Sequence, residues 1–417
     1  MSARPLAAER KVSTSAERTG SWLAPPPSPF SPLRAAVVRA LFRRVVASLP
    51  VRVTLPDGET IGAAAGAATM RIHSNAFFHR VGRDALIGFG ESYMAGEWDA
   101  DDLAATLTPF AARMGTLVPA WMQRLRRWYL RYHPEHVRNT PERARDNVSH
   151  HYDLSNELFA LFLDESMTYS SALFAAGDNL EAAQVRKIDR ILDAARVGVG
   201  TRVLEIGTGW GALAVRAARR GAHVTTVTLS RRQYEAARAR VARAGVSSRV
   251  EVRLSDYRHV DGLFDAVVSV EMIESVGAPH WPEFFSTLDR VLARGGVVAL
   301  QAIVLPHQRM LATLNQYTWM HKYIFPGGAL PSVPAIVALA RDHTTLEVRD
   351  CFAFGSSYAA TLRAWRARFV SREASVDALG FDRVFRRMWE FYLAYCEAGF
   401  AAGYIDVVQV VLDRERR

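Results

Sequence analysis

From about residue 185 onward, short apolar runs alternate with amphipathic stretches. "TRVLEIG", "HVTTVTLS", "RVEVRLS", "FDAVVSVE" and "VVALQAIV" are apolar over most of their length and read as buried strands. Between them, "WGALAVRAARRG", "RRQYEAARARVARAG" and "WPEFFSTLDRVLARGG" space their apolar residues three and four apart, the pattern of helices with one buried face. Strands with short connections and intervening helices predict an α/β fold, a doubly wound Rossmann-like sheet with mainly parallel strands. Residues 304–345 read as an insertion, helices follow near 357–371 and 381–402, and "YIDVVQVVLDR" reads as a last strand.

Ahead of the sheet the pattern is less regular. Residues 1–32 end in "APPPSPFSP" and read as a disordered tail. In "PLRAAVVRALFRRVVASLP", Val37, Val38, Leu41, Phe42, Val45 and Leu49 recur at helical spacing, with Arg34, Arg39, Arg43 and Arg44 mostly elsewhere. Two readings stand for this helix: an anionic membrane surface, or packing of the apolar stripe on its own domain. "VRVTLPDGETIG" has hairpin character with Asp57-Gly58 as its turn, and "AWMQRLRRWYLRYH" (120–133) is a second basic, aromatic helix. The expected division is a tail (1–32), a smaller N-terminal lipid-associated domain (33–135) and a catalytic domain (136–417).

Composition narrows the partners. No stretch of the 417 residues approaches a membrane span, so a soluble or peripheral protein is expected, and no secretory signal is evident at the N-terminus. Cys351 and Cys396 form no disulfide framework or metal motif, which suits a reducing cytoplasm. The net charge of +10 comes from 52 basic residues, only three of them lysines (Lys11, Lys187 and Lys322), so arginine bias explains part of it. No RNA-binding motif accompanies the charge. His150 and His151 are sequence neighbours, which point different ways on a helix, so no metal site is expected.

"VLEIGTGWG" places Gly207, Gly209 and Gly211 where a strand turns into a helix, so that backbone and helix N-terminus meet a ligand. Nicotinamide dehydrogenases use a related turn, but this one reads G-x-G-x-G, follows Glu205, and the second strand ends "VTLS" without the ribose-binding acid. With Asp256 after the third strand, placed to reach an adenine amine, S-adenosylmethionine is favoured over NAD.

With "VLEIGTGWG", "VTLS", "SVEMIESVG", "YIFPGGALPS" and "YCEAGFAAGYIDVVQVV" in one order, the chain resembles the cyclopropane-fatty-acid synthase family of S-adenosylmethionine-dependent methyltransferases. "HYDLSNELFALFLDESMTYSSALF" (151–174) matches the segment ahead of the sheet. "LIGFGESYMAGEW", "SVEMIE" and "LQAI" are closest to the tuberculostearic-type branch, which makes 10-methylene chains from oleoyl phospholipids for a separate reductase. The resemblance implies a class I methyltransferase fold with a helical substrate-binding insertion. It assigns cofactor contacts to Tyr169, Ser170, Gly207 and Gly209, to Thr228, Leu229 and Gln233, and to Asp256, Tyr257 and Arg258. It also implies a bound bicarbonate base, matched by Glu274, the Ile303 backbone and Tyr358. Ser171 and Gln301 stand where many members have Cys and His, and Cys396 matches a secondary cysteine.

An alkene attacking a sulfonium methyl leaves a carbocation, and a group must then remove a proton. Loss from the new methyl with ring closure gives a cyclopropane; a hydride shift first gives an exocyclic methylene. Imidazole takes up a proton near neutral pH and an amide does not, so Gln301, with the branch resemblance, favours the methylene product. Glu274 is expected to hold or act as the base, or else to cap the helix near His280; Glu271 is expected either to contact the cofactor or to pair structurally. Tyr317, Trp319, Tyr323 and Phe325 line an acyl tunnel or form ordinary core. A phospholipid membrane surface at the inner face of the cell membrane, no nucleic acid, and a homodimer complete the expectations. A small-metabolite or nucleic-acid methyltransferase and a non-catalytic lipid-binding protein are the competing classes. Retention of Glu205, Gly207, Gly209, Gln233 and Glu274 argues against the last.

Overall fold

The computed structural model describes residues 25–28, 30–63, 67–114 and 155–414. Most of residues 1–32, the helix expected over 120–133, and His150 and His151 lie outside these. The N-terminal unit is a small sheet of β1 (Val51–Thr54), β2 (Thr60–Gly62), β3 (Ala68–Ile72) and β4 (Trp98–Ala100), ordered β2-β1-β3-β4. Asp57-Gly58 forms the β1–β2 turn, as expected.

The helix Pro32–Val46 lays Val38, Phe42 and Val45 on this unit, with Phe42 edge-on to Phe77 at 5.4 Å. Of its two sequence readings, packing accounts for Val38, Phe42 and Val45, and Val37 is left outside it. Arg39 and Arg43 are held by Asp57 and Glu59 of the hairpin rather than left to an outside anion. Phe30, Leu33 and Val37 stay exposed at the start of the helix.

The larger sheet contains β5 (Arg202–Ile206), β6 (His223–Thr228), β7 (Val250–Leu254), β8 (Phe264–Val270), β9 (Leu292–Val304), β10 (Leu346–Ala353) and β11 (Asp406–Arg414). Its order is β10-β11-β9-β8-β5-β6-β7, parallel from β9 to β7, with β11 antiparallel to both neighbours. The doubly wound α/β expectation holds. Two differences have local causes. "LARGG" opens β9 instead of closing the preceding helix: that helix stops at Val291, where two glycines lie ahead and Leu292 pairs with Phe264 of β8. Strand β10 was not expected, because as a largely exposed edge strand with a register shift between Val348 and Asp350 it lacks an apolar run.

One apolar core runs through both units, from Val46, Phe77 and Trp98 to Phe159, Trp365, Trp389 and Phe391. At their junction Lys322 and Tyr323 of the insertion both reach the buried Glu91, and Trp319 lies over Gly90. A Cβ on Gly90 would sit 2.5 Å from the Trp319 ring. Gly90→Ala is therefore expected to cost about 1–3 kcal/mol by overpacking, read as a lowered urea midpoint. No helix of the described residues is long and apolar enough to cross a membrane.

Candidate active site

A pocket opens at the carboxyl ends of β5, β6 and β8, where ligands bind in open α/β sheets. The strand-to-helix turn after β5 supplies its floor. Gly207 has φ +97°, which favours glycine, and even a Cβ there would approach Met272 to 3.1 Å. Gly209 also lines the pocket. Gly211, expected among the cofactor contacts, does not: it starts the helix Ala212–Arg219 with φ +86°, and a Cβ on it would come within 3.1 Å of Ala237. Its role is packing.

The remaining predicted cofactor residues come together. Tyr169 and Ser170 form one wall; Thr228, Leu229 and Gln233 another; Asp256, Tyr257 and Arg258 a third. The Thr228 hydroxyl donates to Gln233 Oε1 at 2.9 Å, fixing both side chains against the pocket. Asp256 is held differently from expectation. Its two oxygens accept from Arg258 Nε (2.9 Å) and a terminal guanidinium nitrogen (2.6 Å), so it serves first to place Arg258.

Glu205 is buried, and its Oε2 has no hydrogen-bond partner among the described residues. Burial pushes its carboxyl up to about 8, against the Thr226 hydroxyl and the Lys187 charge. An orphaned buried carboxylate oxygen beside a glycine turn fits the amino group of S-adenosylmethionine. Lys187 was not anticipated as a site residue. It lines the pocket fully buried, donates to Ser170 Oγ at 2.7 Å, and is lowered to about 8 by burial, against the charges of Glu271, Asp164 and Glu205. A lysine on the apolar stripe of Leu180, Ala183 and Ile191 was the available signal.

Where β8 ends, the two carboxylates take distinct positions. Glu271 stands in the left-handed region at φ +50°, unusual for a residue with a side chain. Its Oε1 accepts from the Ser171 backbone N–H (2.9 Å) and Gln301 Nε2 (2.8 Å), and its Oε2 from the Tyr358 hydroxyl (2.7 Å). It also faces the cofactor pocket. Glu274 Oε1 accepts from Ile303 N–H at 2.5 Å, while its Oε2 is buried without a partner among the described residues. It therefore binds across to β9 and does not cap the helix near His280. Burial, then the Glu271 charge, raises Glu274 to about 8.

The expected catalytic set is thus brought together, with one correction. Ser171, Gln301 and Tyr358 gather on Glu271, expected to have a lesser part, and Glu274 holds only the Ile303 backbone. Gln301 is itself fixed by a relay absent from the expectations: Arg190 donates to Gln409 Oε1 (2.6 Å), and Gln409 Nε2 donates to Gln301 Oε1 (3.0 Å). Cys396 is a thiol pushed up to about 12 by burial, close enough to Tyr358 to act on its ionisation. Trp319 and Tyr323 belong to the core between the units, and Phe325 packs on Tyr392 at 5.8 Å; none lines the pocket. The described residues contain no cluster suited to a metal ion.

Residues 139–410 match the model of the mycolic acid cyclopropane synthetase family. The chain is 51% identical to the tuberculostearic acid methyltransferase UfaA1 of Mycobacterium tuberculosis over 94% of each protein. It is 35% identical to the cyclopropane-fatty-acyl-phospholipid synthase of Escherichia coli over 83% of this chain and 88% of that one. Among solved structures, mycolic acid cyclopropane synthase CmaA1, complexed with SAH and CTAB, superposes with a TM-score of 0.60 at 32% identity, covering 64% of this chain and 97% of that chain.

Proposed function

The chain belongs to the mycolic acid cyclopropane synthetase family, and from that premise we propose that it methylates the cis double bond of oleoyl chains in phospholipids, giving a 10-methylene chain. Such a product requires reduction by a separate enzyme to become the saturated 10-methyl chain. S-adenosylmethionine, when bound, supplies the electrophilic methyl. Glu205, the Gly207–Gly209 turn, Thr228 with Gln233, and Arg258 positioned by Asp256 would hold it. Glu274 is buried and Glu271 half-buried, so a cation formed beside them meets fixed negative charge with little water between.

The single observation that carries the methylene reading is the amide at position 301, locked between Gln409 and Glu271 where an imidazole would be able to relay a proton. The 35% match to a cyclopropane synthase supports the alternative product. Bicarbonate does not fit as the base. The Ser171, Gln301, Tyr358 and Ile303 groups that would bind it already donate to Glu271 and Glu274.

The substrate reading places the protein at the inner face of the cell membrane. Phe30, Leu33 and Val37, 87%, 78% and 50% exposed beside the exposed Arg34, give it a small apolar edge suited to a bilayer surface. Incubation with S-adenosylmethionine and oleoyl phosphatidylglycerol vesicles, followed by proton NMR of the recovered fatty acids, tests the whole reading. Vinylidene protons are expected. Upfield cyclopropyl protons would overturn the methylene product, and no product with cofactor binding intact would overturn the acyl substrate.

A further inference from the structure

We infer that Glu271 is the general base of the reaction, a carboxylate built into the chain that takes the proton a bicarbonate ion would otherwise take. The inference rests on the acyl-chain methyltransferase reading and names the group that completes it.

Four observations carry it. First, among the described residues every neighbour hydrogen-bonded to the Glu271 carboxylate is a donor: a backbone N–H, a phenol O–H and an amide N–H₂. Such a set binds an anion and leaves no acceptor for a carboxylic acid proton. Second, the polarity of that set is fixed from a distance. Arg190 has no acceptor, so Gln409 must offer it the amide oxygen, must turn its own N–H₂ to Gln301, and so obliges Gln301 to present N–H₂ to Glu271. Third, Glu271 lines the pocket suited to the methyl donor, whereas the Glu274 carboxylate is engaged with β9. Fourth, Glu271 holds a left-handed backbone conformation, a local cost that persists only where the surroundings impose it.

Burial raises the Glu271 carboxyl above its ordinary value, while the Tyr358, Ser171 and Gln301 donors and the Lys187 charge hold it back. Glu274, raised to about 8, is neutral at pH 7. The three donors around Glu271 favour its ionised form, so the negative charge of the pair sits there.

After methyl transfer and a 1,2-hydride shift, the cation lies on the carbon bearing the new methyl. A C–H bond of that methyl breaks, its electron pair becomes the exocyclic C=C bond, and the proton forms an O–H bond with Glu271. The proton returns to bulk water on product release.

The test compares wild type, Glu271→Gly and Glu271→Gln. Glycine suits φ +50°, so Glu271→Gly keeps the fold and opens a carboxylate-sized space; the amide keeps the volume without the basicity. Wild type is expected to turn over equally in CO₂-free buffer and with added bicarbonate, and to show no bicarbonate binding by calorimetry. Both variants are expected to lose about 100-fold or more in kcat. Added bicarbonate or formate should rescue Glu271→Gly, which now binds bicarbonate, but not Glu271→Gln, whose site remains filled. Wild-type activity that disappears without bicarbonate, bicarbonate binding to wild type, or Glu271→Gln turning over at the wild-type rate would each overturn the inference. A wild type that makes no methylated acyl chain would sink the proposed function instead. The bicarbonate calorimetry would still decide whether Glu271 fills the anion site.

Discussion

Glu205→Gln should bind S-adenosylmethionine about ten- to a hundredfold more weakly than wild type at pH 7, with the fold intact. The size follows from the ~1.5–3 kcal/mol typical of a buried hydrogen bond to a charged group. Glu205 is buried with one oxygen unpartnered, and its carboxyl lies at about 8, so at neutral pH it is mostly protonated before ligand arrives. A cationic amine stabilises the carboxylate and lowers its pKa, so binding must release a proton. Calorimetry at pH 7 in buffers of different ionisation enthalpy should report about one proton released by wild type and none from that site in the variant. Wild-type affinity should also rise as pH approaches 8. Equal affinity in the two proteins, with equal proton release, would place the amino group elsewhere.

Glu274→Gln should change how stability depends on pH. The Glu274 carboxyl goes from an ordinary 4.5 to about 8 on folding, by burial and the nearby Glu271 charge. Between those values the native state keeps a proton that the unfolded state has lost. The contribution is fully present below about 4.5 and falls as pH rises through about 8. At ~1.4 kcal/mol per pH unit the whole window amounts to several kcal/mol. The glutamine cannot ionise, and its oxygen still accepts from Ile303 N–H. Urea midpoints of the two proteins should therefore be similar near pH 5 and diverge in favour of the variant by pH 8. Glu205 and Lys187 titrate in the same range but are common to both, so the difference isolates Glu274. Divergence in favour of wild type would mean that Glu274 is ionised and well partnered.

How much of this was legible in the sequence differed from element to element. The central parallel strands were readable because β5 and β8 are buried along most of their length, and the glycine turn because its spacing carries a backbone requirement. Edge strand β10 was not, since most of its positions face solvent. The cofactor wall was legible through the glycine turn with Glu205 and, for Thr228, Gln233 and Asp256, through the family resemblance, whereas Gly211 sits behind the lining and packs near Ala237, since a glycine at a helix start serves packing as well as binding. The precedence of Glu271 over Glu274 was hidden. Nothing in "VEMIE" announces a left-handed glutamate, and its partners Ser171, Gln301 and Tyr358 lie 100, 30 and 87 residues away. The Arg190–Gln409–Gln301 relay is likewise a product of the third dimension.

The shared core has a consequence for where this protein can be cut. The family fold occupies residues 139–410, yet the helix Arg383–Ala401 turns Phe391 against Phe89, Tyr93 and Trp98, and Arg387 donates to the backbone oxygens of Tyr93 and Trp98. A fragment beginning at the family boundary would present those aromatics to water and leave Lys322 without Glu91. The segment inherited as a recognisable module and the segment that shares one core are thus different lengths of the same chain, and recombination at the first border would cut through the second.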